Sequence, residues 1–138
     1  MPEQQISDFM AAYAEGFTTR TPAETCRFWL FPATIPAGES VTCFEDEEAF
    51  ARNVAALGDF YRRQGVTRAE KAVTDCRLAL PGCAFVTTDD RMYDASGALV
   101  NRWRHHYALR RVGADWRIAF AVSDEEIAAW HDRGTPLG

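Results

Sequence analysis

From Val66 to Val122 the chain alternates apolar and polar positions in runs divided by turn residues, which predicts four consecutive antiparallel strands. In the last pair, Asn101–Arg111 and Trp116–Val122, a large apolar or aromatic side chain recurs at every second position. Side chains alternate across a strand, so Trp103, His105, Tyr107 and Leu109 share one face. Arg102, Arg104, His106, Ala108 and Arg110 share the other. In the final strand Trp116, Ile118, Phe120 and Val122 stand against Arg117, Ala119 and Ala121. A four-residue loop at Val112–Asp115 sets Leu109 opposite Ile118 and Tyr107 opposite Phe120, so the two apolar faces coincide. The Pro81-Gly82 turn pairs Cys83 with Leu80 and sets Leu78 opposite Phe85 on the inner face. A five-residue loop, Asp94–Ala98, places Phe85, Thr87, Asp89 and Arg91 on that face too; a loop one residue shorter would exchange Asp89 for Asp90.

The first half of the chain carries the helical period. Ile6, Phe9, Met10, Tyr13 and Phe17 predict an amphipathic helix from about Pro2 to Phe17. Thr21-Pro22-Ala23-Glu24 reads as a capping box opening a short helix to about Trp29. Phe31 to Phe44, with Pro32, Pro36 and Gly38, reads as one or two short strands with a bend. Asp46 caps a helix over about 46–64, striped by Phe50, Val54, Leu57 and Tyr61 and ended by Gly65. Ser123-Asp124-Glu125-Glu126 reads as a second capping box before a short C-terminal helix.

Helices first and strands after imply an α+β fold, a curved antiparallel sheet wrapped around the N-terminal helices, in one domain spanning residues 1–138. Strands of ten residues or so exceed the usual ~5–6 and must coil. A long curved sheet cannot lie flush on short helices. Where the two part, a concave apolar cavity is expected.

A net charge of −5 argues against nucleic acid or an anionic membrane as the main partner. No apolar run approaches the ~18 residues that span a bilayer. The first residues lack the basic and apolar regions of a secretory signal. Cys26, Cys43, Cys76 and Cys83 match no zinc or redox spacing, and read as four reduced thiols of a cytoplasmic protein. No Gly-rich phosphate loop and no His–carboxylate cluster at ligand spacing appears, so neither a cofactor nor a metal is expected.

The order of elements resembles the nuclear-transport-factor-2-like superfamily, the cystatin-like cone fold that includes ketosteroid isomerases, scytalone dehydratase, limonene epoxide hydrolase and SnoaL-type polyketide cyclases. The stretches that carry the resemblance are Phe9-Met10-Ala11-Ala12-Tyr13, Phe31-Pro32-Ala33-Thr34-Ile35, and the close from Tyr107 to Arg111 and from Gly113 to Ile118. The resemblance implies the cone, and homodimers through the outer sheet face. Tyr13 falls where ketosteroid isomerases carry an oxyanion-binding tyrosine. Where they supply a catalytic aspartate, this chain has Pro36-Ala37-Gly38, none of which can move a proton.

Three residues are the candidates for chemistry. His105 lies by parity between Trp103 and Tyr107, and an imidazole is a side chain suited to act as a general base. Asp89 would orient that imidazole, act as the base itself, or pair with Arg91. Tyr13 would donate to a ligand carbonyl. Trp29, Trp103, Tyr107, Phe17, Phe50 and Tyr61 are expected to line the cavity, and His106 to face solvent. The outer face mixes Arg102, Arg104, Arg110 and Arg117 with Ala79, Ala84, Val86, Ala108, Ala119 and Ala121, a composition suited to a homodimer. The leading expectation is a protein that binds a small apolar or carbonyl-containing molecule. The alternatives are an isomerase, dehydratase or cyclase using acid–base chemistry beside a carbonyl, and a non-catalytic dimerisation module.

Overall fold

The computed structural model describes residues 2–137, apart from the side chain of Leu80. Its elements run α1 (Pro2–Glu15), α2 (Pro22–Cys26), β1 (Trp29–Ala37), β2 (Ser40–Phe44), α3 (Glu47–Arg63), β3 (Arg68–Leu80), β4 (Cys83–Tyr93), β5 (Leu99–Val112), β6 (Asp115–Val122) and α4 (Asp124–Asp132). The local signals explain most boundaries. Thr21 and Glu24 make the reciprocal capping bonds that start α2. Asp46 accepts from the Ala49 amide at 2.9 Å to start α3, and Gly65, at φ +79°, lets the chain leave it.

The six strands form one sheet in the order β2-β1-β6-β5-β4-β3. All neighbours are antiparallel except β1 and β6, which run parallel. α1 packs on β3, α2 on α3, and α4 on β5. The helices thus cover one face and leave the other open. Register shifts within β3–β4, β4–β5, β5–β6 and β1–β6 bend the sheet into an open curve, since each unmatched residue kinks its strand.

Those shifts also correct the expected faces. Tyr93 pairs Leu99 across the five-residue loop, but Met92 pairs Asn101, so Val100 is an extra residue in β5. Everything in β4 beyond it changes side. Asp90 then sits opposite Trp103, fully buried, while Asp89 faces outward opposite Arg104. Phe85, Thr87 and Arg91 move outward with Asp89, and Ala84, Val86, Thr88 and Met92 fill the inner face. At the Pro81-Gly82 turn, Leu80 pairs Cys83 as expected, but Leu78 meets Ala84 rather than Phe85. In the last hairpin Val112 pairs Asp115, leaving a turn of Gly113 and Ala114. Leu109 does meet Ile118; Ala119 is then unmatched, so Tyr107 meets Ala121 and Phe120 points out. Phe85 and Phe120 are consequently 52% and 37% exposed. Ala121, expected outside, is buried.

The core has two parts. One packs Ile6, Met10, Tyr13, Trp29 and Phe50 on Ala84, Val86, Tyr107, Leu109, Trp116 and Ile118. The other gathers Phe60, Tyr61, Met92, Trp103 and Trp130. Among the described residues, no helix is long and apolar enough to cross a membrane.

Candidate functional site

Between the helices and the inner sheet face lies a cavity of about 490 Å³, inside the range of roughly 300–1,000 Å³ usual for small-molecule sites. Its walls include Tyr13, Phe17, Trp29, Phe50, Tyr61, Trp103, His105 and Tyr107. Ile35, Phe44, Val54 and Leu57 extend the apolar lining. Asp89 is not among the lining residues. It lies on the outer face, where Arg91 and Arg102 donate to it at 3.2 and 3.0 Å.

Asp90 takes the inner place. Register puts it directly opposite Lys71 on β3, and two opposite charges facing each other across an antiparallel pair attract. Lys71 Nζ donates to Asp90 Oδ2 at 2.5 Å and to Tyr107 Oη at 2.7 Å. Thr88 Oγ1 donates to Asp90 Oδ1 at 2.6 Å. His105 Nδ1 lies 3.3 Å from Asp90 Oδ2, and its ring stacks on Tyr107 at 4.8 Å between centroids. On the far edge of the ring, Nε2 is 3.1 Å from Ser123 Oγ.

Ser123 precedes α4 but makes no side-chain cap, so the expected capping box does not form. Glu126 turns inward instead. Its Oε2 accepts from the Tyr61 hydroxyl and from Trp130 Nε1, and its Oε1 lies 4.0 Å from His105 Nδ1. His106, the neighbour of His105, is on the outer face against Thr87 and Glu125. Sequence reasoning thus placed Tyr13, His105 and six lining residues at the cavity, misplaced Asp89, and missed Lys71, Thr88, Ser123 and Glu126. For Lys71 a signal existed, since it shares parity with Ala69 and Val73 on β3.

The electrostatics separate donors from acceptors. Burial pushes Asp90 up, but Lys71 and His105 outweigh it and hold the carboxyl well below the usual carboxylate range. Asp90 is therefore ionised and a poor proton acceptor; it anchors Lys71 and lies against His105. Burial pushes the Tyr13 phenol up to about 12, despite the hydrogen bond from Trp29. Burial, then the Asp90 charge, raises Tyr107 well above the ordinary tyrosine value. Both phenols stay protonated at neutral pH. Tyr13 Oη accepts from Trp29 Nε1 at 3.1 Å and Tyr107 Oη accepts from Lys71, so each keeps its own proton to give. The cavity lining thus includes two phenol donors and the Lys71 ammonium among aromatic side chains.

Comparison with known proteins bears on the fold. The profile of a family described as NTF2-like protein (DUF6841) matches residues 3–126. No curated protein matches the chain in sequence. A solved NTF-2-like protein of unknown function from Shewanella oneidensis is similar over 88% of this chain and 98% of its own, with TM-score 0.69 and 9% identity. A domain of unknown function with a cystatin-like fold from Nostoc punctiforme is similar over 87% of this chain and 74% of its own, with TM-score 0.66 and 14% identity. An NTF2-like protein with a cystatin-like fold from Novosphingobium aromaticivorans is similar over 87% and 79%, with TM-score 0.64 and 13% identity. Likeness at these identities speaks for the fold alone, since proteins sharing a fold differ in their sites.

Proposed function

We propose that this chain, which belongs to the NTF2-like family DUF6841, binds a small, mostly apolar molecule through an acceptor oxygen at one end. The observation that carries the reading is the pair of buried phenols, Tyr13 and Tyr107, with protons left to donate beside the Lys71 ammonium. A ligand carbonyl would meet these donors, and its body would lie among Trp29, Phe50, Tyr61 and Trp103. Hydrogen bonds of this kind contribute about 1 kcal/mol each when both partners are neutral, and more beside a charge. They select orientation, while apolar burial supplies most of the affinity.

Titration with 1-tetralone and with tetralin, followed by tryptophan fluorescence, tests the reading. The two share a bicyclic body and differ in the carbonyl. Saturable binding is expected for 1-tetralone, about tenfold or more tighter than for tetralin. Equal binding of the two, or binding of neither, refutes it.

The same proposal includes a homodimer through the open sheet face. Phe85, Ala108 and Phe120 lie in register across three strands there. Arg110 and Arg117 flank that row on one side; on the other, Asp89 pairs with Arg91 and Arg102, and Glu125 with Arg104. A two-fold axis through the apolar row would bury the exposed Phe85 and Phe120 rings of two copies against each other. The four cysteines, all free thiols, agree with the cytoplasmic location that forms the last part of the proposal.

A further inference from the structure

We propose that Ser123, His105 and Asp90 form a nucleophilic relay that opens small apolar carboxylic esters, with Ser123 Oγ as the attacking atom. The inference rests on the cavity reading above only for where the ester lies.

Ser123 occupies the place before α4 where a serine usually accepts from a first-turn amide. Its hydroxyl makes no such bond and lies instead 3.1 Å from His105 Nε2. The opposite ring nitrogen, Nδ1, lies 3.3 Å from Asp90 Oδ2 and also 3.3 Å from Trp103 Nε1, which donates toward it. The indole N–H can only donate, and its bond to Nδ1 is the neutral alternative to a charge-assisted bond from a protonated Nδ1 to the Asp90 carboxylate; the charged partner outweighs the neutral one, so in the relay the proton resides on Nδ1 and is held toward Asp90. Nε2 is then the lone-pair nitrogen, aimed at the serine hydroxyl. Asp90 cannot turn away, because Lys71 and Thr88 hold both its oxygens. The order nucleophile, imidazole, buried carboxylate is that of an activated serine. Ser123 and His105 both line the cavity.

The uncapped first turn of α4 offers amide N–H groups close to Ser123 in sequence, as donors for a developing oxyanion. The carboxylates of that turn are engaged elsewhere. Asp124 accepts from the Gly38 amide, Glu125 pairs with Arg104 and His106, and Glu126 accepts from Tyr61 and Trp130.

The step balances without any further reactant than water. As Ser123 Oγ bonds to the ester carbon, its proton passes to His105 Nε2 and the carbonyl electron pair moves onto oxygen. Return of that pair breaks the carbon–alkoxy bond, and the leaving alkoxide takes the proton from Nε2. Water then repeats the sequence on the acyl-serine, giving a carboxylic acid and restoring the hydroxyl.

The test is covalent. The full chain is incubated with diisopropyl fluorophosphate, which would lose fluoride to Ser123 Oγ, and is weighed intact and after proteolysis. One adduct on Ser123 is expected, absent in Ser123→Ala and formed about 100-fold or more slowly in His105→Asn. No adduct on the wild-type chain, or an adduct mapped to another residue, overturns the relay; this holds even if the histidine variant fails to fold. Saturable 1-tetralone binding without a Ser123 adduct would leave the cavity reading standing and remove the relay. A Ser123 adduct without 1-tetralone binding would do the reverse.

Discussion

The two faces of the sheet carry nearly the same chemistry under opposite conditions. On the inner face Lys71 meets Asp90 with both side chains buried, 5% and 0% exposed. On the outer face Arg102 meets Asp89 with the arginine 55% and the aspartate 17% exposed. Each face also has one histidine of the adjacent pair, His105 inside against Asp90 and Ser123, His106 outside against Thr87 and Glu125. What differs is water. A buried charge must be matched by its neighbours, because nothing else solvates it. An exposed pair competes with solvent and salt, and gains little. The inner cluster is therefore fixed in geometry and able to hold groups for chemistry, whereas the outer pairs contribute little beyond what water already gives them.

Removing one partner of the inner pair is the harshest way to probe this contrast. Lys71→Ala should cost about 3–5 kcal/mol in urea unfolding, because Asp90 is left charged and buried. Lys71→Met with Asp90→Leu should recover most of that loss, since no charge is stranded. An Asp90 role in acid stability follows with a definite sign. Its folded value lies well below the unfolded value of about 3.9. The contribution is thus complete above about pH 5 and declines as pH falls below about 4 toward the depressed folded value. Asp90→Asn should flatten that acid limb of stability, followed by thermal unfolding at stepped pH. An unchanged acid limb would deny the inner pair its weight.

Tyr107→Phe and Tyr13→Phe should each weaken 1-tetralone binding by roughly three- to tenfold and leave tetralin binding nearly unchanged. Phe85→Ser with Phe120→Ser should shift the mass in light scattering toward that of one 15.5 kDa chain, with little change in inner-face stability. The smallest effect is reserved for the outer pair. Asp89→Asn should alter stability by less than about 1 kcal/mol, and less still at high salt. A larger loss there than at Lys71 would invert the comparison.

How much of this is legible in the amino-acid sequence depends on what sets each feature. The fold and the four long strands follow from local alternation, and Trp103, His105, Tyr107 and Leu109 keep their expected face because parity within one strand is local. Relations between strands are not local. A single unmatched residue, Val100, moves Asp89 out and Asp90 in; another, Ala119, turns Phe120 to solvent. The alternation Ala84, Val86, Thr88, Asp90, Met92 was present in β4, but exposed Phe85 imitated a core residue on the wrong phase. Glu126 was hidden for a different reason. A glutamate three residues after a serine reads as a cap, and only tertiary packing of Tyr61 and Trp130 draws it inside. Lys71 shared the parity of Ala69 and Val73, yet a lysine turned inward is intelligible only once Asp90 and Tyr107 are known to face it.

The three histidines permit the most direct test of where a ligand sits. In protein carrying ¹³C-labelled histidine, titration with 1-tetralone should move the His105 ring signals saturably. His106, on the outer face, and His131, exposed on α4, should stay where they are. A stationary His105, or equal shifts of all three rings, would contradict a ligand site on the inner face of the sheet.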